Sequence, residues 1–218
     1  MKRNVSLSDI SDGRLYELND MVKADCGDCK GCSDCCHGMG DTVVLDPYDI
    51  YRLTTGLGVG FSELLMGKVA LSVVDGIVLP HLNMVGKSGA CGFLDENGRC
   101  SVHSVRPGIC RLFPLGRYYT ENGFKYFLQK DECKNTSRTK VKVKKWIDTP
   151  NPTEYEKFVL AWHRFLEQQE EDLKSMDENG AKTVSMNILN LFYLSAYGSD
   201  RGFYEQFDER MEKYYEKA

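Results

Sequence analysis

Histidine is scarce in this chain, four in 218 residues, and no two of the four stand three to five apart. That absence turns the reading away from finger-type zinc sites. No apolar segment follows Lys2 and Arg3. Asp9, Asp12, Glu17 and Asp20 come instead, so no secretory signal is read here. The longest apolar stretch, Ile188 to Tyr197, is too short to span a bilayer and is interrupted by Asn190 and Ser195. Positive charge is not in excess: the net charge of −4 argues against a dedicated nucleic-acid binder. There is no internal repeat and no low-complexity tract. The expectation is a cytoplasmic chain with neither a membrane nor a nucleic acid as partner, whose thiols stay reduced. The sequons Asn4-Val5-Ser6 and Asn135-Thr136-Ser137 are then chance matches.

What the chain does have is cysteine: nine, all before residue 134. With 42% hydrophobic residues, ten Phe and twelve Tyr, it can build a core without disulfide staples. Clustered reduced thiols read as metal-binding or catalytic. The first group is Cys26-x2-Cys29-x2-Cys32-x2-Cys35-Cys36. The second is Cys91, Cys100, Cys110 and Cys133, each beside a turn or short element. A two-residue spacer lets both thiolates turn toward one metal without straining the loop. Successive steps of this kind suit the corners of a cubane iron–sulfur cluster, where each iron takes one thiolate. Zinc sites more often join two separated pairs around one ion. The adjacent Cys35 and Cys36 project in different directions. They suit two metals, two corners of one cluster, or one ligand and one supporting thiol. Eight thiolates suffice for two four-ligand sites; four suffice for one, with the rest packed around it. An iron–sulfur cluster is the preferred reading and zinc the alternative. A metal that only staples loops, or a set of disulfides, would be the blander outcome.

The rest of the chain sets an α+β expectation: a cysteine-rich, metal-stapled domain of short hairpins and helices, with a C-terminal helical subdomain. Residues 1–25 read as a helical lead-in on the sparse apolar positions Leu7, Ile10, Leu15, Leu18 and Val22. Residues 26–146 form the cysteine-rich domain. Within it, Thr42 to Leu45 reads as a short strand. Asp46-Pro47 caps and opens a helix that Gly56 ends. Phe61 to Met66 reads as one more short helix. Asp75-Gly76 between β-branched pairs signals a hairpin. A longer turn separates Cys91 from Cys100, and a third hairpin centres on Glu121-Asn122-Gly123. The basic run Lys134, Arg138, Lys140, Lys142, Lys144 and Lys145 looks like an edge strand or a solvated linker. Residues 147–218 are helical, with apolar stripes Tyr155/Phe158/Val159/Trp162/Phe165/Leu166, Val184/Ile188/Leu191/Phe192 and Phe203/Phe207/Met211/Tyr214.

Cys29-x2-Cys32-x2-Cys35-Cys36, then Cys91-x-Phe93-Leu94 and Cys100-x5-Arg106-Pro107-x2-Cys110-Arg111-x-Phe113-Pro114, resemble the YkgJ-type CxxCxxCC family. That family is a zinc- or iron-chelating domain with eight cysteines, similar to the cysteine-rich part of the flagellin lysine N-methylase FliB. The resemblance covers about residues 26 to 133. It implies Cys29, Cys32, Cys35, Cys36, Cys91, Cys100, Cys110 and Cys133 as metal ligands. Cys26 is an extra that either substitutes for a neighbour or is free. The likeness to the methylase implies S-adenosylmethionine as donor and a protein lysine as acceptor. The chain has no Gly-rich strand–loop–helix of the usual methyltransferase kind, and no C-x3-C-x2-C of radical enzymes.

Three functions therefore stand as expectations. The first is a cluster or metal serving electron transfer or a redox step with a redox partner. The second is a methylase-like enzyme acting on a protein substrate. The third is a zinc-stapled interaction module. Arg106 and Arg111 flank Cys110 and could offset thiolate charge, with Pro107 opening a short helix. His37 and His103, close after cysteines, are candidate ligands or donors, whereas His81 and His163 read as structural. Tyr118, Tyr119 and Tyr126 read as ordinary strand residues before any role in covering the metal loop.

Overall fold

The computed structural model describes residues 6–27, 29 and 32–217. The chain runs α1 (Leu7–Ile10), β1 (Met21–Asp25), α2 (Pro47–Leu57), α3 (Phe61–Leu64), β2 (Val69–Val74), β3 (Ile77–Leu82), β4 (Met84–Val85), β5 (Ala90–Cys91) and α4 (Gly108–Leu112). It continues through β6 (Leu115–Thr120), β7 (Gly123–Leu128), β8 (Thr139–Lys142), α5 (Val143–Trp146), α6 (Pro152–Leu173), α7 (Glu178–Leu189) and α8 (Phe203–Lys217). Helices and small antiparallel hairpins together make the α+β fold that the sequence leads one to expect.

The lead-in needs correcting. Residues 1–5 lie outside the described residues. Leu7–Ile10 is a single helical turn, and Met21–Asp25 is a strand. Val22 and Ala24 are buried while Met21 and Lys23 face out, a period of two that outweighs the sparse helical spacing. The partner of β1 is β8, with Val22 opposite Val141, so the basic run is a strand in this ribbon. It then turns into α5, which buries Val143 and Trp146.

The other local signals hold with small shifts. Asp46 caps α2 and Asp49 reciprocates, each side chain accepting from the other's backbone N–H. The helix passes Gly56 and ends at Gly58, which takes the left-handed conformation at φ 67°. The strand expected over residues 42–45 is a single bridge, Val44 to His81, flanked by Leu45 N–H to Pro80 O at 2.8 Å. Asp75-Gly76 closes β2 onto β3, with Val74 opposite Ile77. Glu121-Asn122 closes β6 onto β7, with Thr120 opposite Gly123.

Two apolar cores result. The larger joins α2 and the β2–β3 hairpin to all three tail helices, through Leu45, Tyr48, Leu53, Ile77, Phe158, Trp162, Phe192 and Phe207. The tail stripes are buried as their periodicity predicts, apart from half-buried Leu166, Val184, Leu191 and Met211. The change near residue 146 is thus one of secondary structure, not a break in packing. The smaller core lies under β1–β8 and β6–β7, around Val22, Tyr126, Val143 and Trp146. Helix α4 stands where they meet: Cys110 packs on the first, and Leu112 is buried in the second. Among the described residues no helix is long and apolar enough to cross a membrane.

Candidate metal centre

Five segments carry the cysteines, and backbone hydrogen bonds bind three of them together. Residues 34–36 form a 3-10 turn, with Cys36 N–H donating to Ser33 O at 2.8 Å. His37 bridges Ala90, and Gly38 N–H donates to Gly89 O at 2.9 Å. The first cysteine segment is thereby laced to β5, which ends in Cys91. The next turn is folded by Asp95, whose Oδ1 accepts from Asn97 N–H at 2.9 Å and Arg99 N–H at 2.8 Å. That turn brings Cys100 back to bridge Leu94. Cys110 rides on α4, whose first amide, Gly108 N–H, donates to buried Asp49 Oδ1 at 2.6 Å.

All but the Cys133 segment line a partly open cavity of about 120 Å³, whose wall holds Cys29, Cys32, Cys35, Cys36, Cys91, Cys100 and Cys110. Apolar groups complete the wall, among them Met39, Phe93, Ile109, Phe113 and Trp146. Seven of the eight cysteines implied by the family resemblance thus face one space. Cys133 does not line it. It is half-buried in a loop whose Lys134 comes within 3.9 Å of Asp34 and whose Asn135 Nδ2 donates to Cys26 O at 3.4 Å. Cys26 also lies outside the wall, but its sulfur is 3.4 Å from that of Cys29. Among the described residues, no three His, Cys, Asp or Glu side chains are drawn up at metal-holding distance.

The thiols differ in their electrostatic setting. Cys35 is close enough for its charge to act on Cys29, Cys36, Cys91, Cys100 and Cys110. Hydrogen bonding from Cys36, its own backbone N–H and the Arg106 guanidinium bring the Cys35 thiol down to about 7. Every other perturbed thiol moves the opposite way. Burial and the Cys26 thiol push Cys29 up to about 12. The hydrogen bond to Cys35, together with burial, raises Cys36, and burial raises Cys91, Cys100 and, most strongly, Cys110. Several thiolates cannot share this apolar space unless a cation offsets their charge. Soft sulfur donors in such number fit zinc or iron.

The basic residues divide. Arg106 lines the cavity and contacts His103, which lines it too. Arg111 turns away: it is buried, and its Nη1 donates to Asp148 O at 2.9 Å. It therefore does not offset thiolate charge as its place beside Cys110 suggests. His37 Nδ1 lies 2.9 Å from Ser33 O, a local contact. Two cations escape sequence reasoning. Arg99 Nη1 donates to Cys29 O at 2.6 Å, and Lys68 Nζ donates to Gly92 O at 2.6 Å, where its charge steadies Cys91. Arg99 could have been found by its place beside Cys100; Lys68 gives no such signal. Tyr119 stacks on His163 with centroids 3.6 Å apart, Tyr126 is in the second core and Tyr118 is exposed. None lines the cavity. His81 is buried and bonded locally.

Comparison with curated proteins and with solved structures finds no match. A family model does match: CxxCxxCC, described as a "Putative zinc- or iron-chelating domain", over residues 28–144. That span holds more than half of the chain, every cysteine from Cys29 to Cys133, and the whole cavity wall except Trp146. By this match the chain belongs to the CxxCxxCC family.

Proposed function

We propose that the cavity holds an iron–sulfur cluster that serves electron transfer or a redox step. The observation that carries this is the convergence of seven cysteines on one apolar-walled cavity. Seven thiols exceed what a single four-ligand site needs, and the successive two-residue spacers of Cys29, Cys32 and Cys35 favour cluster corners over a lone zinc ion. A bound cluster would supply one-electron chemistry at a potential set by the charges and hydrogen bonds around its sulfurs. The protein's own part is to place those groups. Arg106, Arg99 and Lys68 bring positive charge and donors to the cysteine segments, and Phe93, Phe113 and Trp146 keep the walls dry.

The test is iron, zinc and acid-labile sulfide content, with a visible spectrum, on protein purified without oxygen. Iron with matching sulfide, and absorbance that bleaches on reduction, is the expected result. Zinc without sulfide would sink the redox reading and leave a zinc-stapled interaction module. The methylase-like reading has its own check. S-adenosylmethionine should raise the melting temperature if it binds the folded state; no shift at saturation removes it.

A further inference from the structure

The β1–β8 ribbon has one face in the smaller core and one in solvent. Val22 and Ala24 point inward with Val141 against them, while Met21, Lys23, Lys140 and Lys142 are exposed. Lys144 and Lys145 follow at once on α5, also exposed, while Val143 and Trp146 on the same turn are buried. Five lysines thus crowd one surface of a chain whose net charge is −4. Among the described residues no carboxylate pairs with any of the five. The one acid on the ribbon, Asp25, is turned to Gly27 N–H and Thr139 Oγ1.

Like charges facing each other across paired strands are destabilising. Lysine on an exposed strand protects it from pairing with another chain. That accounts for one or two lysines in β8. It does not account for Lys144 and Lys145, which lie beyond the strand, and glutamate would protect an edge as well.

The patch also has a position. β1 leads straight into Cys26, whose sulfur touches that of Cys29. Trp146, next to Lys145, lines the cysteine cavity. Lys134 reaches toward Asp34, beside Cys35. The face is therefore continuous along the chain with the segments that carry Cys26 and the cavity-lining Trp146. We propose that this face docks a carboxylate-rich surface of a partner protein and brings that partner to the metal centre. What the partner then does rests on the redox reading above; the docking itself does not. Nucleic acid fits less well, because the five exposed cations are lysines rather than arginine forks, and β1, β8 and α5 expose no aromatic ring on which a base could stack.

The experiment uses the full chain with its metal, a fluorescent oligoglutamate, and duplex DNA of matched charge. Anisotropy is read at low ionic strength and at about 0.15 M salt, where the screening length is ~8 Å. Oligoglutamate should bind at low ionic strength, weaken with salt, and bind more tightly than DNA. Lys140→Glu/Lys142→Glu/Lys144→Glu/Lys145→Glu should weaken it by at least about tenfold, since rim charges act through long-range attraction. Circular dichroism and metal content of the variant should match the parent; the milder set with glutamine serves if it does not fold. Absent binding, binding indifferent to charge reversal, or tighter binding of DNA would each overturn the proposal. Zinc without sulfide in protein that still binds oligoglutamate would sink the redox reading and leave the docking face standing. A cluster in protein that ignores oligoglutamate would do the reverse.

Discussion

Removing the Asp49 carboxylate should loosen the helix that carries Cys110, although Asp49 touches no cysteine segment except through one amide. Asp49 is 2% exposed and accepts from Gly108 N–H at 2.6 Å and from Asp46 N–H at 3.2 Å. Asp49→Ala leaves two donors without an acceptor, each worth about 1–3 kcal/mol when buried. Against that stands the burial of the carboxyl itself. Burial raises it from 3.8 to about 6, equivalent to about 3 kcal/mol between its two protonation states. The sign follows from linkage. A carboxyl raised in the folded state contributes stability that is present below pH 3.8 and lost as pH rises through about 6. At pH 7 the ionised group carries that burial cost, so Asp49→Ala should lose at most about 3 kcal/mol, against about 2–6 kcal/mol near pH 4. Denaturant unfolding of metal-free protein at the two pH values measures this, with the alkylation rate of Cys110 as the local probe. Cys110 should alkylate faster in the variant. Equal stability at both pH values, with Cys110 equally protected, would refute the anchoring role.

Arg106→Gln should raise the pH midpoint of Cys35 alkylation in metal-free protein above its value of about 7, because a facing cation is lost; an unmoved midpoint would remove Arg106 from the thiol field. Cys26→Ala should lower metal content more than Cys133→Ala, since the Cys26 sulfur lies 3.4 Å from Cys29 while Cys133 lies off the cavity wall. The opposite ranking would restore the eight that the family resemblance implies. Gly108→Ala should destabilise by about 1–3 kcal/mol, because its Cβ would stand 2.1 Å from Tyr155 Oη, a contact that only a shift of α4 or of the ring can relieve. Thermal unfolding of the variant is the check.

Much of this was legible in the sequence, wherever the signal is local. The Asp46 cap, the Asp75-Gly76 turn and the tail stripes each depend on residues within a turn or two, and each is where its chemistry puts it. The spacing of the cysteines leads one to expect that they gather, and seven of them line one cavity. What sequence could not show depends on pairing across long separations. Met21–Asp25 reads as weak helix until β8, more than a hundred residues on, supplies a strand partner. Arg106 and Arg111 look equivalent around Cys110, but Arg106 precedes the five-residue helix and faces the thiols, while Arg111, within it, turns to Asp148. Asp49 reads as half of a capping box; its second oxygen, spent on Gly108, is visible only when α2 and α4 are side by side.

The core shared by α2 and the tail bears on where the family's span can be cut. Tyr48 on α2 meets the rings of Tyr155, Phe158, Phe203 and Tyr204 at 4.9–6.0 Å, and Tyr193 Oη donates to Leu45 O at 3.0 Å. A fragment trimmed to residues 28–144 would strip that cover and turn Tyr48, Leu53 and Phe61 toward water. It would also lose β1's Met21–Asp25, the strand that β8 pairs with. Sequence likeness marks where the sulfur ligands are inherited together; it does not mark a piece that can be excised and expected to stay soluble.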